Sequence, residues 1–342
     1  MILSTSELPY AVARPHVTGV IRATANDFQV DEELGFEPAG KGEHVLLHIR
    51  KRNANTEWLA RELARLAGVK VVDVGYAGLK DRKAVTSQWF SVNLAGRPEP
   101  DWTRIASDDI QFLAIVRHDR KLRRGALTGN RFTLRVSNLQ GDVSGMALRL
   151  ARIAEEGVPN YFGEQRFGHA NLDRASRMFA GELRVRDRHQ RSLYLSAVRS
   201  ELFNRVLARR VAAGHWNTAV AGDVMMLDGT HSVFAVEDVD AEIARRVSEQ
   251  DIHPTGPLWG SGELRSRHAA RRIEEEALAD CEPWRDGLEQ AGLEQQRRAL
   301  RLKVDDLRWK FEGSDSVLLE FQLPAGSYAT VVLREIVNYS EC

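Results

Sequence analysis

Residues 43–94 read EHVLLHIRKRNANTEWLARELARLAGVKVVDVGYAGLKDRKAVTSQWFSVNL, and their order of periods sets the fold class. In EHVLLHIRK, apolar and polar residues partly alternate, as in a strand with one buried face. Over 55–68 the period becomes helical. Asn55 can cap the first turn, Trp58, Leu59, Leu63 and Leu66 form one apolar stripe, and Gly68 supplies a left-handed stop. Strand patterns return at VVDVGYAG and QWFSVNL. Outward from this stretch, FQVDEEL (28–34), IQFLAIVRH (110–118) and RFTLRVS (131–137) add strands with few helices between them. That order does not fit a regular βαβ repeat, so a largely antiparallel sheet in an α+β domain is expected.

From about residue 143 the pattern turns helical. VSGMALRLARIAEEG and RSLYLSAVRSELFNRVLARRVAAG follow, the second with Leu195, Val198, Leu202 and Val206 on one face. A second domain is expected here. Within 274–294, eight carboxylates face Arg285 alone, which reads as a solvated helical face and not as an RNA contact. After about residue 303, DLRWKF and SVLLEFQL are again strand-like and ATVVLREIVNY is helix-like. The chain is expected to return there to the first domain.

A length of 342 residues suits two average domains. Lys plus Arg and Asp plus Glu both total 48, so any basic surface must be local. With 43% hydrophobic and 28% charged residues, the chain has the composition of a folded protein. The opening MILSTSELPYAVARPH lacks the pattern of a leader, and no window is apolar enough for a membrane span. Cys281 and Cys342 are the only cysteines, which argues against a disulfide framework or a thiolate metal site and for the cytoplasm.

Two segments could carry chemistry. Residues 117–135, RHDRKLRRGALTGNRFTLR, hold seven basic residues, one Asp119 and Phe132. Basic side chains along a groove neutralise phosphates, and a ring can stack on an unpaired base, so single-stranded or distorted RNA is a candidate partner. Arg120, Lys121, Arg123 and Arg124 are the candidate contacts; the plainer reading is a solvated loop. Arg184, Arg186, Arg188 and Arg191 form a weaker cluster. In 75–92, GYAGLKDRKAVTSQWFSV, two glycines lead into Lys80, Asp81, Arg82 and Lys83. This is not a phosphate loop, because the Lys is followed by an acid where Ser or Thr is needed. Nearby positive charge favours the ionised form of a carboxylate in general, and such a group can be a nucleophile or general base. The plainer reading of Asp81 is a turn residue paired to a lysine. His44 and His48 lack a third ligand at metal spacing, and neither a GxSxG nor a GxGxxG motif is present.

The 75–92 segment resembles the signature of the TruD family of tRNA pseudouridine synthases. So do NDFQVDEELGFEPAGKGEH (26–44), RRGALTGNRFTL (123–134), GVPNYFGEQRFG (157–168), RDRHQRSLYLSAVRSELFN (186–204) and LPAGSYATVVLREI (323–336), in the family's order. The resemblance implies an isomerase that converts uridine to pseudouridine at position 13 in the D arm of tRNA, tRNA-Glu in particular, without cofactor or metal. It implies a pseudouridine synthase catalytic domain over 1–156 and 303–342, interrupted by a family-specific α/β insertion domain over 157–302. Asp81 would be the nucleophile, paired with Arg22 where the family commonly has Lys. Lys80 and Asn130 would help hold the site or the flipped base, Phe132 would stack on the target uracil, and Tyr328 would supply a second ring. Tyr161 and Phe162 read as buried residues of the insertion. No obligate protein partner or membrane is implied, and a monomer is expected. A non-catalytic RNA-binding or RNA-chaperone protein would keep the basic stretch without needing Asp81. A metabolic enzyme with an Asp nucleophile would not need the basic stretch.

Overall fold

A computed structural model describes residues 7–342, so that residues 1–6 of the opening stretch lie outside the described residues. In chain order its elements are β1 (Thr18–Ile21), β2 (Phe28–Leu34), β3 (His44–Arg52), α1 (Thr56–Ala67), β4 (Val74–Tyr76), β5 (Val85–Asn93), β6 (Ile110–His118), β7 (Leu127–Gln140) and α2 (Val143–Glu156). There follow β8 (Val158–Pro159), α3 (Asn171–Phe179), α4 (Arg188–Ala212), β9 (Val224–Leu227), β10 (Val233–Ala235), α5 (Ala241–Ser248) and β11 (Ile252–Leu258). The remainder are α6 (His268–Ala277), α7 (Glu282–Gln290), β12 (Gln296–Ala299), β13 (Arg301–Leu302), β14 (Asp305–Glu312), β15 (Ser316–Pro324), α8 (Ala329–Ile336) and β16 (Asn338–Glu341). Two compact units divide them. One, the sheet unit, is His16–Leu150, Val304–Gly326 and Val337–Cys342; the other is Ala151–Lys303, Ser327–Ile336 and the described residues up to Pro15.

In the sheet unit the path is β14-β15-β7-β2-β5-β3-β6, with β1 between β7 and β16 and β4 beside β5. Among these pairings only β1–β16 and β2–β5 are parallel, so the sheet is mainly antiparallel, as the strand order implied. The period of two on β3 sorts its faces. Val45, Leu47 and Ile49 pack with Phe90 and Val92 of β5 against Leu59, Ala60, Leu63 and Ala64 of α1. Leu46, of opposite parity, packs with Ala77 and Leu122 on the other face.

Helix α1 starts where Asn55 accepts from the amides of Glu57 (2.8 Å) and Trp58 (3.3 Å), and it stops at Gly68, whose φ is 62°. Its buried stripe is Thr56, Leu59, Ala60, Leu63 and Ala64, and Leu66 packs at its margin. Trp58 does not join it. One residue before Leu59, it lies about 100° round the helix from that position and is 44% exposed. Three further expectations are corrected. The strand read over VVDVGYAG is only Val74–Tyr76, because a 3₁₀ turn takes up Val71–Asp73. The helix read over ATVVLREIVNY ends at Ile336, and Asn338 then donates to the Val17 carbonyl as β16 joins the sheet. The acidic run 274–294 is not a uniformly solvated face. Glu274 is buried and accepts from Arg297 and Ser266, and Glu289 accepts from Trp259.

The second unit is built on α4. Leu195, Val198, Leu202 and Val206 are all buried, packing with α3 and α7, as their spacing predicted. This unit also carries a four-stranded sheet, β10-β9-β11-β12, and a two-stranded ladder in which Val158 and Pro159 pair with Leu302 and Arg301. Ser327–Ile336, read from sequence as part of the strand-rich domain, groups with this unit.

The cap and the stripe of α1 have separable effects on stability. Asn55→Ala is expected to lower the unfolding free energy by about 1 kcal/mol and Leu63→Ala by about 2–5 kcal/mol, read as midpoint shifts in urea unfolding. Equal effects would contradict the assignment of a surface cap and a buried stripe.

Candidate active site

The loop from Gly78 to Asp81 is held on one face of the sheet, and the register of four strands shows how. Phe28, Val30 and Glu32 of β2 stand opposite Leu134, Phe132 and Asn130 of β7, while Val30 is also level with Thr86 of β5, itself opposite Lys51 of β3. Most of this face is apolar. Glu32, Asn130 and Lys51 are polar positions on it, together with Thr86, and the loop supplies partners for the first three. The Lys80 ammonium makes an ion pair with Glu32 Oε1 at 2.7 Å and donates to Asn130 Oδ1 at 2.8 Å. The second Glu32 oxygen accepts from the Trp89 amide at 2.9 Å. Burial pushes the Glu32 carboxyl above its ordinary range, opposed by Lys80. The Lys80 amide donates to Thr56 Oγ1, Thr56 Oγ1 donates to Gln88 Oε1, and Gln88 Nε2 donates back to the Gly78 carbonyl at 2.6 Å. The start of α1 and the middle of β5 therefore clamp the loop from both sides.

Asp81 follows Lys80 and is 40% exposed at its side chain. Its Oδ2 accepts from Arg22 Nη2 at 2.6 Å. Arg22 directly follows β1 and has a φ of 58°, a left-handed conformation that residues other than Gly rarely adopt. Its guanidinium carbon lies 4.1 Å from the centre of the Phe28 ring, and a second carboxylate, Glu341, sits 3.3 Å from Nη1. The arginine thus bridges two carboxylates while its flat face covers an apolar ring. Beneath the loop, the fully buried Lys51 donates to the Ala54 carbonyl at 2.7 Å and to the Asp81 carbonyl at 3.4 Å. Burial lowers its ammonium to about 8, against the attraction of Asp81.

Phe132 is on the same face as Asn130, two residues along β7, and stacks on Phe321 of β15 with ring centres 5.3 Å apart. Tyr328 belongs to the other unit, where it precedes α8 and lies within electrostatic reach of Arg298. The basic stretch divides. Arg117, Arg131 and Arg135 pair with Glu99, Glu33 and both Asp27 and Glu312. Arg120 is exposed beside Asp119, and the Lys121 ammonium donates to the Val72 carbonyl. Among the described residues, Arg123 and Arg124 are exposed and have no carboxylate partner. Their loop is joined to the Asp81 segment, since Gly125 donates to the Ala77 carbonyl at 3.0 Å. A Cβ on Gly75 would lie 2.4 Å from the Leu122 carbonyl oxygen, so only glycine allows β4 to run this close to the basic loop. His48, considered above as a ligand, stacks flat on Trp89 at 4.5 Å.

The family model described as tRNA pseudouridine synthase D (TruD) matches residues 6–182 and 170–336. The chain belongs to the TruD family of tRNA pseudouridine synthases. It is 53% identical over 338 residues to the tRNA pseudouridine synthase D of Nitrosococcus oceani, covering 98% of this chain and 94% of the relative. It is also 53% identical over 335 residues to that of Methylococcus capsulatus, covering 97% and 95%. A crystal structure described as a TruD protein of Methanosarcina mazei superposes with a TM-score of 0.74 at 22% identity, over 96% of this chain and 95% of that one, which supports the α+β fold. Among the described residues, no helix is long and apolar enough to cross a membrane.

Glu32, Lys51, Thr56 and Gln88 were not among the residues singled out from the sequence. The available signal was parity: Glu32 and Lys51 are charged residues that continue core-facing runs, Glu32 after Phe28 and Val30 and Lys51 after Val45, Leu47 and Ile49. Lys51 has a distinctive pH signature. Its pKa is near 8 in the fold and about 10.5 in the unfolded chain, so the unfolded chain binds more protons between those values. Stability should therefore rise with pH from 8 to 10.5, and this component is lost as pH falls to 8. Lys51→Met is expected to flatten that rise in urea unfolding measured across the window; an identical slope in both proteins would contradict a buried, charged Lys51.

Proposed function

We propose that this chain isomerises uridine to pseudouridine at position 13 in the D arm of tRNA, with tRNA-Glu as a substrate and Asp81 as the nucleophile. The observation that carries the reading is the 2.6 Å pair between Arg22 and a half-exposed Asp81, on a loop anchored by buried polar groups. A carboxylate so placed is fixed in direction yet open to a substrate. Pseudouridylation breaks the bond from C1′ to N1, turns the uracil, joins C1′ to C5, and moves a proton from C5 while N1 gains one. Atoms and electrons balance without an outside reductant or oxidant, and no cofactor is called for. Attack by Asp81 on C1′, its attack on C6, and abstraction of a ribose proton all require the same carboxylate.

The base must leave its stack, which costs a few kcal/mol. In the proposed arrangement Phe132 offers the flipped uracil a ring, a contact of roughly 1–3 kcal/mol per base, while Lys80 and Asn130 hold the loop and the base edge. Tyr328 is proposed as a second ring on the family resemblance alone. Arg120, Lys121, Arg123 and Arg124 are assigned to RNA phosphates; the exposure of Arg123 and Arg124 and their lack of carboxylates support this. We assign residues 1–156 and 303–342 to the catalytic domain and 157–302 to the insertion, and propose that the protein acts as a cytoplasmic monomer without an obligate protein partner.

Asp81→Asn changes one atom of the side chain and removes its charge. It is expected to retain tRNA binding and unfolding midpoint while losing turnover by at least about a thousandfold in a tritium-release assay on 5-tritiated uridine tRNA. Activity within tenfold of wild type would overturn the nucleophile assignment. Arg22→Met is expected to lower turnover at least tenfold and alter the pH–rate profile; an unchanged rate and profile would remove the pairing from the mechanism.

Replacing Arg120, Lys121, Arg123 and Arg124 together by Ala is expected to weaken binding of all tRNAs alike and to flatten the dependence of affinity on salt. Affinity and salt slope equal to wild type would exclude this loop from the RNA path.

A further inference from the structure

In the unit holding Ala151–Lys303, two arginines stand together without a counter-charge. Arg166 and Arg298 both lie against the Phe162 ring, with guanidinium carbons 5.7 Å and 4.2 Å from its centre. Arg166 donates only to the neutral hydroxyls of Ser196 and Ser200, on successive turns of α4. Arg298 donates through Nη2 to the Asn160 side-chain oxygen at 2.6 Å, and its Nε is buried with no partner. Among the described residues, neither has a carboxylate within ion-pair distance. Elsewhere this unit pairs its enclosed arginines: Arg205 with Glu201 and Asp280, Arg210 with Asp223, and Arg297 with Glu274. Where it does not, as at Arg199 and Arg301, main-chain carbonyls accept instead.

Two like charges close together and partly withdrawn from water raise each other's free energy unless an anion joins them. Burial opposes the charge on Arg298 and pushes its pKa down to about 10, an effect that Tyr328 counters and the neighbouring Arg166 reinforces. Each guanidinium also keeps donors that no protein acceptor occupies, in the planar fork that suits tetrahedral oxyanions. The seat beneath them is firm. Asn160 is fixed by its amide to Leu300 and by its side chain to Ala299, while Asn204 binds both main-chain polar groups of Phe162.

We propose that Arg166 and Arg298 form a binding site for a phosphodiester of the RNA backbone, separate from the basic loop at 120–124. The proposal rests on the reading of tRNA as substrate. A phosphate oxygen between the two guanidinium groups would supply the missing charge and engage the free donors. Such a contact orients RNA without reading its bases.

The test uses the full chain with Arg298→Gln and, separately, Arg166→Gln. Each is expected to weaken tRNA binding about tenfold and to reduce the slope of log affinity against log salt by about 1, with a thermal midpoint no lower than wild type. Inorganic phosphate should raise the midpoint of the wild type more than that of either variant. Unchanged affinity and salt slope in the variants, or a lowered midpoint with an unchanged slope, would overturn the proposal and leave the stack on Phe162 as packing. Should Arg298→Gln fail to fold, Arg166→Gln decides. Should tRNA not bind the wild type, the functional reading falls, and the phosphate measurement decides the arginine site by itself.

Discussion

The site depends on one buried charge. Glu32 points into the loop-covered face of the sheet with its side chain shut off from water, and Lys80 is the cation that meets it at 2.7 Å. Such a pair need not add net stability, because both groups lose their hydration, but breaking it leaves an uncompensated buried charge at a cost of about 3–5 kcal/mol. The loop carrying Lys80 is therefore confined to the conformations that bring the ammonium to Glu32. Asp81, the next residue, inherits that confinement. Its backbone is placed by a contact it does not itself make, and its carboxylate is then held by Arg22 at 2.6 Å.

Around this pair the polar groups form a connected set, although Thr86 Oγ1 and Arg22 Nε are buried without a hydrogen-bond partner. Thr56 serves two purposes, sitting in the first turn of α1 and linking the Lys80 amide to Gln88. Lys51 occupies a core position on β3, where its ammonium meets main-chain carbonyls and, among the described residues, no carboxylate lies within ion-pair range. Networks of this kind are strongly coupled, because each member is desolvated for the benefit of the others. The Asp81 carboxylate can stay open to solvent because the ordering is done by neighbours that are not.

Much of the architecture was legible in the sequence, and the losses have physical causes. β2 covers the residues read as FQVDEEL, and Asn55 and Gly68 bound α1 as their chemistry required, since alternation and capping are local signals. Trp58 misled because a large apolar residue resembles a core position even one place out of phase. The end of α8 was lost because Val337–Tyr339 leaves the helix for a pairing with β1, which depends on residues some three hundred positions away. At the site, Asp81 was marked by the charges around it and Arg22 by the resemblance, and the two are found paired. Glu32 and Lys51 were hidden in plain strand patterns, where a charge at a core-facing position reads as a flaw in the alternation until its partner is known. The acidic run at 274–294 was misjudged for a related reason: composition counts charges, whereas Glu274 on α6 is paired with Arg297, supplied from β12.

The short ladder in which Val158 and Pro159 face Leu302 and Arg301 has a kinetic meaning. Strand β7 must find β15, with Phe132 opposite Phe321, across nearly two hundred residues of chain. For a flexible chain the entropy of closing such a loop grows with its length, by about 0.6 kcal/mol for each doubling, and non-local pairing slows folding. Once the ladder forms, the intervening segment enters and leaves at adjacent points. The search that joins the two halves of the sheet then spans only the short stretches on either side of that clasp, and a large insertion becomes, for the sheet, a brief detour.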